Sequence, residues 1–399
     1  MRISLPPPAP CPECGSDSVY HRAQYIALLL ETGMAPIVRA LDGIRVGVRL
    51  IGRRKHSTGA LYKTLGSLRL GEFEDAPDDK TLLLDQVLWD EARSRGIAMR
   101  EFRLLGLPSA SFVATFPDGR TISFESIPFP PSMPESAWWI DDKPVMKEKF
   151  EAAGIPVARG GTAYTKAGAL KIFNRIDRPV IAKPAHGSGS RHTTTHISTQ
   201  EELLRAFAIA KQVSPGVVIE EELMGAVYRP TLVGGKLIAT IRRDQPQVVG
   251  DGTHTVAELI EKENEHPKRQ GPYFSKIVMT PAHWRELERQ NLTLESVPAK
   301  GRVVKLHQKI NWSVGGTTTD VTDIVHPDNK ALFEEMARIL HAPIVGIDFI
   351  IDDISKSWKE QQKCGAIECN GRPFFDNHHL PFYGEPRNVA RVIWDLNEN

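Results

Sequence analysis

Residues 179–196 read PVIAKPAHGSGSRHTTTH, and this stretch narrows the folds open to the chain more than any other. An apolar run, Val180 to Ala182, ends on Lys183; a loop containing Gly187 and Gly189 follows, and Thr193 to Thr195 resume an extended, β-branched pattern. Glycines let backbone N–H groups approach an oxyanion closely, and a lysine at a strand end can set its ammonium beside them. The order strand, lysine, loop, strand differs from the Walker arrangement, in which the lysine follows the glycines and opens a helix. Two readings stay open from this segment alone. It is a β-hairpin with a Gly/Ser turn, or a cradle for the phosphates of a nucleotide.

The 399 residues leave room for two or three domains. Fifty basic residues against forty-nine acidic ones leave a formal charge of +1, so no global field points to nucleic acid or to an anionic membrane. The opening MRISLPPPAP is too proline-rich for the apolar core of a signal peptide, and the apolar patch 23–30 is too short to span a bilayer. The expectation is a soluble, intracellular protein. Cys11 and Cys14 form a CxxC within CPECG, half of a zinc ribbon, but the next cysteines are Cys364 and Cys369. A structural zinc needs four ligands. An exposed, reducible terminal segment is therefore the reading of CPECG.

Along the chain, Val46, Val48 and Leu50 alternate as in a strand within a basic stretch that reads as a solvated edge. Leu82 to Leu84, Val87, Leu88 and Ala92 recur at helical spacing, and Gly96 suits the helix end. Residues 112–114 and 121–124, around Pro117-Asp118-Gly119, read as a hairpin. The proline-rich 127–134 reads as a linker. A short helix follows, capped by Asp141 or Asp142, carrying Met146 and Phe150 and stopped by Gly154 and Pro156. Ser198-Thr199 with Glu201-Glu202 give overlapping capping boxes for a helix running to about Lys211. Val217 to Ile219 form a strand whose end is crowded by Glu220, Glu221 and Glu222; passing through Met224-Gly225 into another strand, it suits a hinge between two lobes.

Two late strands carry chemistry. In 366–370, AIECN, Glu368 and Asn370 are two apart and share a face, and Asp348 sits in a second strand, IVGIDFI. A carboxylate, an amide and a further carboxylate make a hard, oxygen-rich set of the kind Mg²⁺ prefers; a solvated strand end is the competing reading. Arg242 or Arg243, expected just after a strand, suits a transferring phosphoryl group or an oxyanion, with a structural salt bridge as the alternative. GxSxG, HExxH and GxGxxG motifs are absent, and His378-His379, adjacent and so divergent in direction, read as structural or substrate-side rather than as a metal pair.

Lys143, Lys183 ahead of its Gly/Ser loop, the acids 220–222 and the Asp348, Glu368, Asn370 set together resemble the ATP-grasp superfamily, most closely the ATP-grasp domain of cyanophycin synthetase and related amino-acid ligases. Further segments carrying the likeness are DGTHTVAELI, VPAKGRVVKL, NWSVGGTTTDVTDIVHPDN, GIDFIIDDIS, IECN and GEPRNV, covering roughly residues 140–395. The resemblance implies an α/β fold with α+β lobes, in which an N-terminal domain (1–134) precedes a small lobe (135–222) and a large lobe (223–399) that clasp ATP. It implies adenine at the hinge against Glu220, Glu221, Glu222 and Leu223. The phosphates would lie under Gly187, Ser188, Gly189, Ser190 and Arg191, near Lys143 and Lys183, and Asp348, Glu368 and Asn370 would hold one or two Mg²⁺. Lys183 and Arg242 take the catalytic roles, and Arg229, Arg243, Asn311, Gly316, Thr317 and His378 lie on the substrate side.

The implied reaction joins amino acids: a carboxylate attacks the γ-phosphate, and an amine then attacks the acyl phosphate to give an amide. Elongation of a poly-amino acid and a nucleotide-binding regulator without ligase activity are the alternatives. Small-molecule substrates, no nucleic acid or membrane partner, a cytoplasmic setting and room for a homo-oligomer go with this reading. Val227 stands where relatives place an acid for the ribose, Ser190 and His192 where they carry glycines, and His307-Gln308 where they often carry two arginines.

Overall fold

The computed structural model describes residues 11, 13, 20–26, 28, 29, 70–130, 132, 133, 136, 137, 139–186 and 191–398. The expected strand around Val46 to Leu50 and the loop 187–190 lie outside these residues.

An antiparallel meander comes first: β1 (Gly71–Glu74), β2 (Ala98–Leu104), β3 (Leu107–Thr115) and β4 (Thr121–Glu125) pair in chain order. The expected helix is α1 (Leu83–Ser94), ended by Arg95 and by Gly96 in the left-handed region at φ 70°, where a side chain would be strained. The predicted hairpin is β3–β4, with Phe112 opposite Phe124. This meander does not close its own core. Leu88, Trp89 and Phe112 are buried together with Ile344 and Phe375 and with Val389, Ile393 and Trp394 of the last helix, whose indole N–H donates to the carbonyl of Leu88 at 3.0 Å.

The small lobe is a four-stranded antiparallel sheet built from β5 (Gly160–Ala163), β6 (Val180–Pro184), β7 (Thr194–Ile197) and β8 (Val217–Glu221), in the order β5-β8-β6-β7. The stretch 179–196 is thus a hairpin in its pairing, with Ala182 opposite Thr194. Two helices cover the sheet. They are α3 (Lys166–Phe173), joining the chain between β5 and β6, and α4 (Gln200–Ala210), opened by a capping box between Thr199 and Glu202. Of the two overlapping boxes expected there, only the Thr199–Glu202 one forms, because Thr199 is the residue with extended backbone at the N-cap.

The large lobe is a five-stranded sheet, β13-β10-β9-β14-β15, from β9 (Ala226–Val233), β10 (Lys236–Asp244), β13 (Thr317–Asp320), β14 (Ile344–Ile351) and β15 (Gly365–Asn370). A helix, α7 (Pro327–Leu340), packs its Leu332, Phe333 and Met336 on one face. A satellite of β11 (Gln247–Val249), β12 (Val303–Lys305), α5 (Val256–Asn264) and α6 (Pro281–Arg289) closes around Val248, Leu259, Leu287 and Val304. Two last helices, α8 (Asp376–His379) and α9 (Val389–Glu398), return the chain to the meander.

The cores divide the chain differently from the expected boundary at residue 135. The helix α2 (Lys143–Ala152), capped by Asp142, buries Met146 and Phe150 with Ile347, Phe349 and Ala366 of the large lobe rather than in the small one. Its spacing places Lys143 and Lys147 one turn apart, on the flank of that core-facing stripe, with both side chains largely buried. Cys11 of CPECG is half-buried rather than exposed, because His192, itself fully buried, lies against it. No helix among the described residues is long and apolar enough to cross a membrane.

Candidate active site

A cleft of about 290 Å³ separates the small lobe from the large one, lined from one side by Lys183, Arg191 and Glu220 and from the other by Lys143, Ile350 and Glu368. Strand alternation decides which side chains enter it. On β6, Val180 and Ala182 turn into the lobe core, so Ile181 and Lys183 turn out. Ile181 pairs with Glu220 on β8, which therefore shares that face, and Glu222 follows two residues on. Glu221 has the opposite parity. Its side chain accepts from the Arg159 guanidinium at 2.9 and 3.1 Å and does not line the cleft.

Glu220 is buried and gripped by two ammoniums, Lys183 from its own lobe and Lys147 from α2. Burial pushes its carboxyl up, but Lys183 and Lys147 outweigh burial and hold it at about 2. Lys147 is pulled below the ordinary lysine value by burial and by the neighbouring Lys183 and Lys143, against the pull of Glu220. Three lysines thus converge, and Lys143 lies 3.4 Å from Glu368. Lys147 escaped the sequence reading, although its spacing of four from Lys143 on a helix was a usable signal.

The facing surface is one side of the large sheet. Asp348 stands opposite Glu368, and Gly346 opposite Asn370, in the β14–β15 pair. Arg229 of β9 donates to both oxygens of Asp348 at 2.6 Å, and Arg243 of β10 approaches the same carboxylate at 3.3 Å. Burial raises the Asp348 carboxyl, and the two guanidiniums more than reverse this, keeping it ionised. Burial and the neighbouring Arg229 bring Arg243 down to about 10. Beneath them His378, fully buried, shares a hydrogen bond with the hydroxyl of Thr231 at 2.7 Å; burial and Arg229 push it to about 3, so the imidazole is neutral.

Arg242 differs from its neighbour. Both arginines lie within β10 rather than after it, and alternation sends Arg242 to the opposite face, where it donates to Asp244 at 2.8 Å. Of the two, Arg243 is the one on the sheet face that carries Asp348 and Glu368. Asn311, Gly316 and Thr317 do not line the cleft, and neither do Arg229, Arg243, Asp348, Asn370 and His378, which lie beyond its wall; of the expected metal set only Glu368 lines it. The Asn311 side chain accepts from the Ser313 amide at 3.2 Å, Gly316 sits where a Cβ would lie 2.8 Å from the carbonyl oxygen of Asn311, and Thr317 pairs with Asp244.

At the hinge the wall is apolar, from Ile181, Leu223, Val227, Ile350 and Ile367. Gly225 makes the turn between lobes, with φ 117° and an ideal Cβ only 2.3 Å from the backbone of Ile351. Glu222 accepts from the His196 amide at 2.9 Å and lies 2.8 Å from the same residue's Nδ1. Gln308 bridges the lobes: its amide oxygen accepts from the Thr195 hydroxyl at 2.8 Å, and its nitrogen donates to Glu286 at 3.2 Å. Lys305, at the end of β12, and Lys309 and Gln245, on loops, also line the cleft, and no local periodicity announces their approach.

The donor set Asp348, Glu368 and Asn370 fits a hard divalent cation, since it offers only oxygens that a small cation would bind beside water and phosphate. The amide nitrogen of Asn370 is buried without a hydrogen-bond partner among the described residues.

Residues 142–303 match the family described as Carbamoyl-phosphate synthase L chain, ATP binding domain. The chain is 35% identical over 259 residues to cyanophycin synthetase of Nostoc sp. (strain PCC 7120), covering 64% of this chain and 29% of the relative. It is 30% identical over 264 residues to the glutathione biosynthesis bifunctional protein GshAB of Pasteurella multocida (strain Pm70), covering 64% and 35%. The chain thus spans about a third of the length of these relatives. Among solved structures, a bifunctional glutathione synthetase from Pasteurella multocida superposes with a TM-score of 0.56 at 25% identity, covering 78% of this chain and 43% of that one.

Proposed function

We propose, from the ATP-grasp domain that this chain carries, that it is an ATP-dependent carboxylate–amine ligase joining amino acids through an amide bond. One observation carries the reading: Lys183 on one side of a single cleft faces Lys143 and Glu368 on the other, with the ionised Asp348 paired beside Glu368. The chemistry needs little beyond that. Donor carboxylate oxygen attacks the γ-phosphorus, ADP leaves, the amine attacks the acyl carbon, and inorganic phosphate departs as the amine loses its proton.

Each group then has a task. Lys183 and Lys143 meet phosphate oxygens, and Lys147 holds Glu220 so that the ammoniums are already desolvated and aimed. Mg²⁺ held by Asp348, Glu368 and Asn370 would neutralise phosphate charge as the ADP leaves. Arg243, with Arg229 behind it, faces the acyl end, where its guanidinium binds the donor carboxylate and then the oxyanion of the tetrahedral intermediate. The apolar hinge wall takes the adenine, and Val227 leaves ribose recognition to other groups. A site that works by positioning and charge needs no nucleophile–base pair.

The test is ADP release by the purified full chain with ATP and Mg²⁺ against a panel of amino-acid pairs, with products read by mass spectrometry. Turnover that needs both an acid and an amine is expected. Nucleotide binding with no turnover for any pair would leave a regulator instead. The similarity to cyanophycin synthetase favours one further reading, elongation of an existing chain, which a ladder of product masses would reveal in place of a single dipeptide. A cytoplasmic setting belongs to the same proposal, because ATP is supplied there. Self-association does too, and light scattering on the eluted protein decides it.

A further inference from the structure

CPECG and His192 have no part in the ligase reading, yet the fold brings them together. The ligand atoms of Cys11, His21 and His192 all lie within 4.8 Å of one another, although 171 residues (192 − 21) separate the two histidines. Cys11 Sγ is 3.7 Å from His192 Nε2, and the rings of His21 and His192 meet edge to face with centroids 4.7 Å apart. Tetrahedral zinc bonds to sulfur at about 2.3 Å and to nitrogen at about 2.0–2.1 Å, which sets a sulfur–nitrogen separation of about 3.6 Å between two ligands. The observed pair is already at that spacing.

The surroundings are those of a built site. His192 is fully buried and holds φ 53°, a conformation uncommon for a residue with a side chain. Its other ring nitrogen, Nδ1, is 2.9 Å from the carbonyl oxygen of Ile209, the contact by which zinc-bound imidazoles are commonly oriented. In the sequence Cys11 belongs to a CxxC, the spacing of zinc-binding cysteine pairs.

We infer that Cys11, His21 and His192 bind a zinc ion, its fourth tetrahedral position taken by water or one further donor, that fastens the N-terminal segment to the edge of the ligand cleft. The route to the cleft is short. The backbone oxygen of Glu13 accepts from the His192 amide at 3.1 Å and from Lys309 Nζ at 3.2 Å. Both Lys309 and Arg191, the residue before His192, line the cleft. The metal therefore sets the position of Arg191 through its neighbour His192.

The experiment measures metal in the untagged full chain, loaded with Zn²⁺, desalted and analysed by plasma mass spectrometry. About one zinc per chain is expected. Cys11→Ser and His192→Ala should each lower the content at least about tenfold, the scale of loss a changed zinc environment brings. His192→Cys, which keeps a ligand, should retain zinc. Cobalt loading should give a thiolate-to-metal absorption band that Cys11→Ser abolishes, a readout independent of ligase activity and of any misfolding caused by the changes at the buried His192. A wild-type chain that holds no zinc, or variants at Cys11 and His192 that hold as much as wild type, would overturn the site.

Discussion

Glu220 lines the cleft from the small lobe, and Asp348 lies in the large lobe beside Glu368, which lines it from the other side; both are buried and each is gripped by two cations, yet the grips are of different kinds. Around Glu220 the cations are ammoniums, compact charges on flexible stems that exchange one oxygen partner for another at little geometric cost. Around Asp348 they are guanidiniums, and Arg229 docks as a fixed two-pronged fork with both contacts at 2.6 Å. In the first cluster Glu220 stands where phosphate oxygens would compete for Lys183. The second cluster instead holds an ionised Asp348 in one orientation beside Glu368. One side is built to trade partners and the other to keep them.

The sharpest test of this division is Glu368→Ala, which removes an oxygen donor next to Asp348 and the partner of Lys143. ADP release should fall more than about a hundredfold, since changes merely behind metal ligands already cost 10–100-fold. A near-normal rate would remove the large-lobe face from the chemistry. Next comes stability. Asp348→Asn leaves Arg229 buried without its counter-charge and should cost about 3–5 kcal/mol, read from urea unfolding. Glu220→Gln should cost less, because Lys147 and Lys183 can turn toward the cleft, and saturating ATP should raise its midpoint more than it raises the wild type's. The reverse ranking would mean that the two clusters have exchanged roles.

Much of this was legible in the sequence where a strand is short and one of its faces is plainly apolar. Val180 and Ala182 mark the core side of β6, so Lys183 had to face out, and Glu368 and Asn370 follow from the same period of two. The parity failed where both faces are apolar or all residues are alike. In β10, Ile238 to Ile241 are uniformly apolar or buried, so nothing in the string tells Arg242 from Arg243, and in 220–222 three acids in a row hide that the middle one turns away. Cys11 meeting His192 was illegible for another reason. The contact is made by tertiary packing across 181 residues, and no local pattern encodes it.

Acid should separate the clusters more gently. Glu220 is held at about 2 against an ordinary 4.5, so its contribution to stability is complete above pH 4.5 and is lost as the pH falls toward 2, where the unfolded chain takes up the proton first. The urea midpoint should therefore drop between pH 5 and pH 3 in the wild type. In Glu220→Gln that drop should be smaller, by the share this carboxylate supplies. An unchanged pH slope in the variant would show that the lysines do not hold Glu220 ionised.

The smallest expected effect bears hardest on the face argument. Arg242 and Arg243 are adjacent and carry the same charge, so any account based on local positive potential treats them alike. Alternation does not: Arg243 reaches Asp348 at 3.3 Å, whereas Arg242 pairs with Asp244 with its side chain 38% exposed. A pair that exposed contributes at most about 1 kcal/mol in solvent-screened surroundings. Arg242→Ala should accordingly shift the urea midpoint slightly and alter ADP release less than about threefold, within that 1 kcal/mol. Arg243→Ala, if Arg243 serves the acyl end as proposed above, should lower kcat by about 10²-fold or more while leaving KM for ATP nearly unchanged. If both variants fall equally, electrostatic field rather than placement governs the site, and the large-lobe face loses its claim to a fixed geometry.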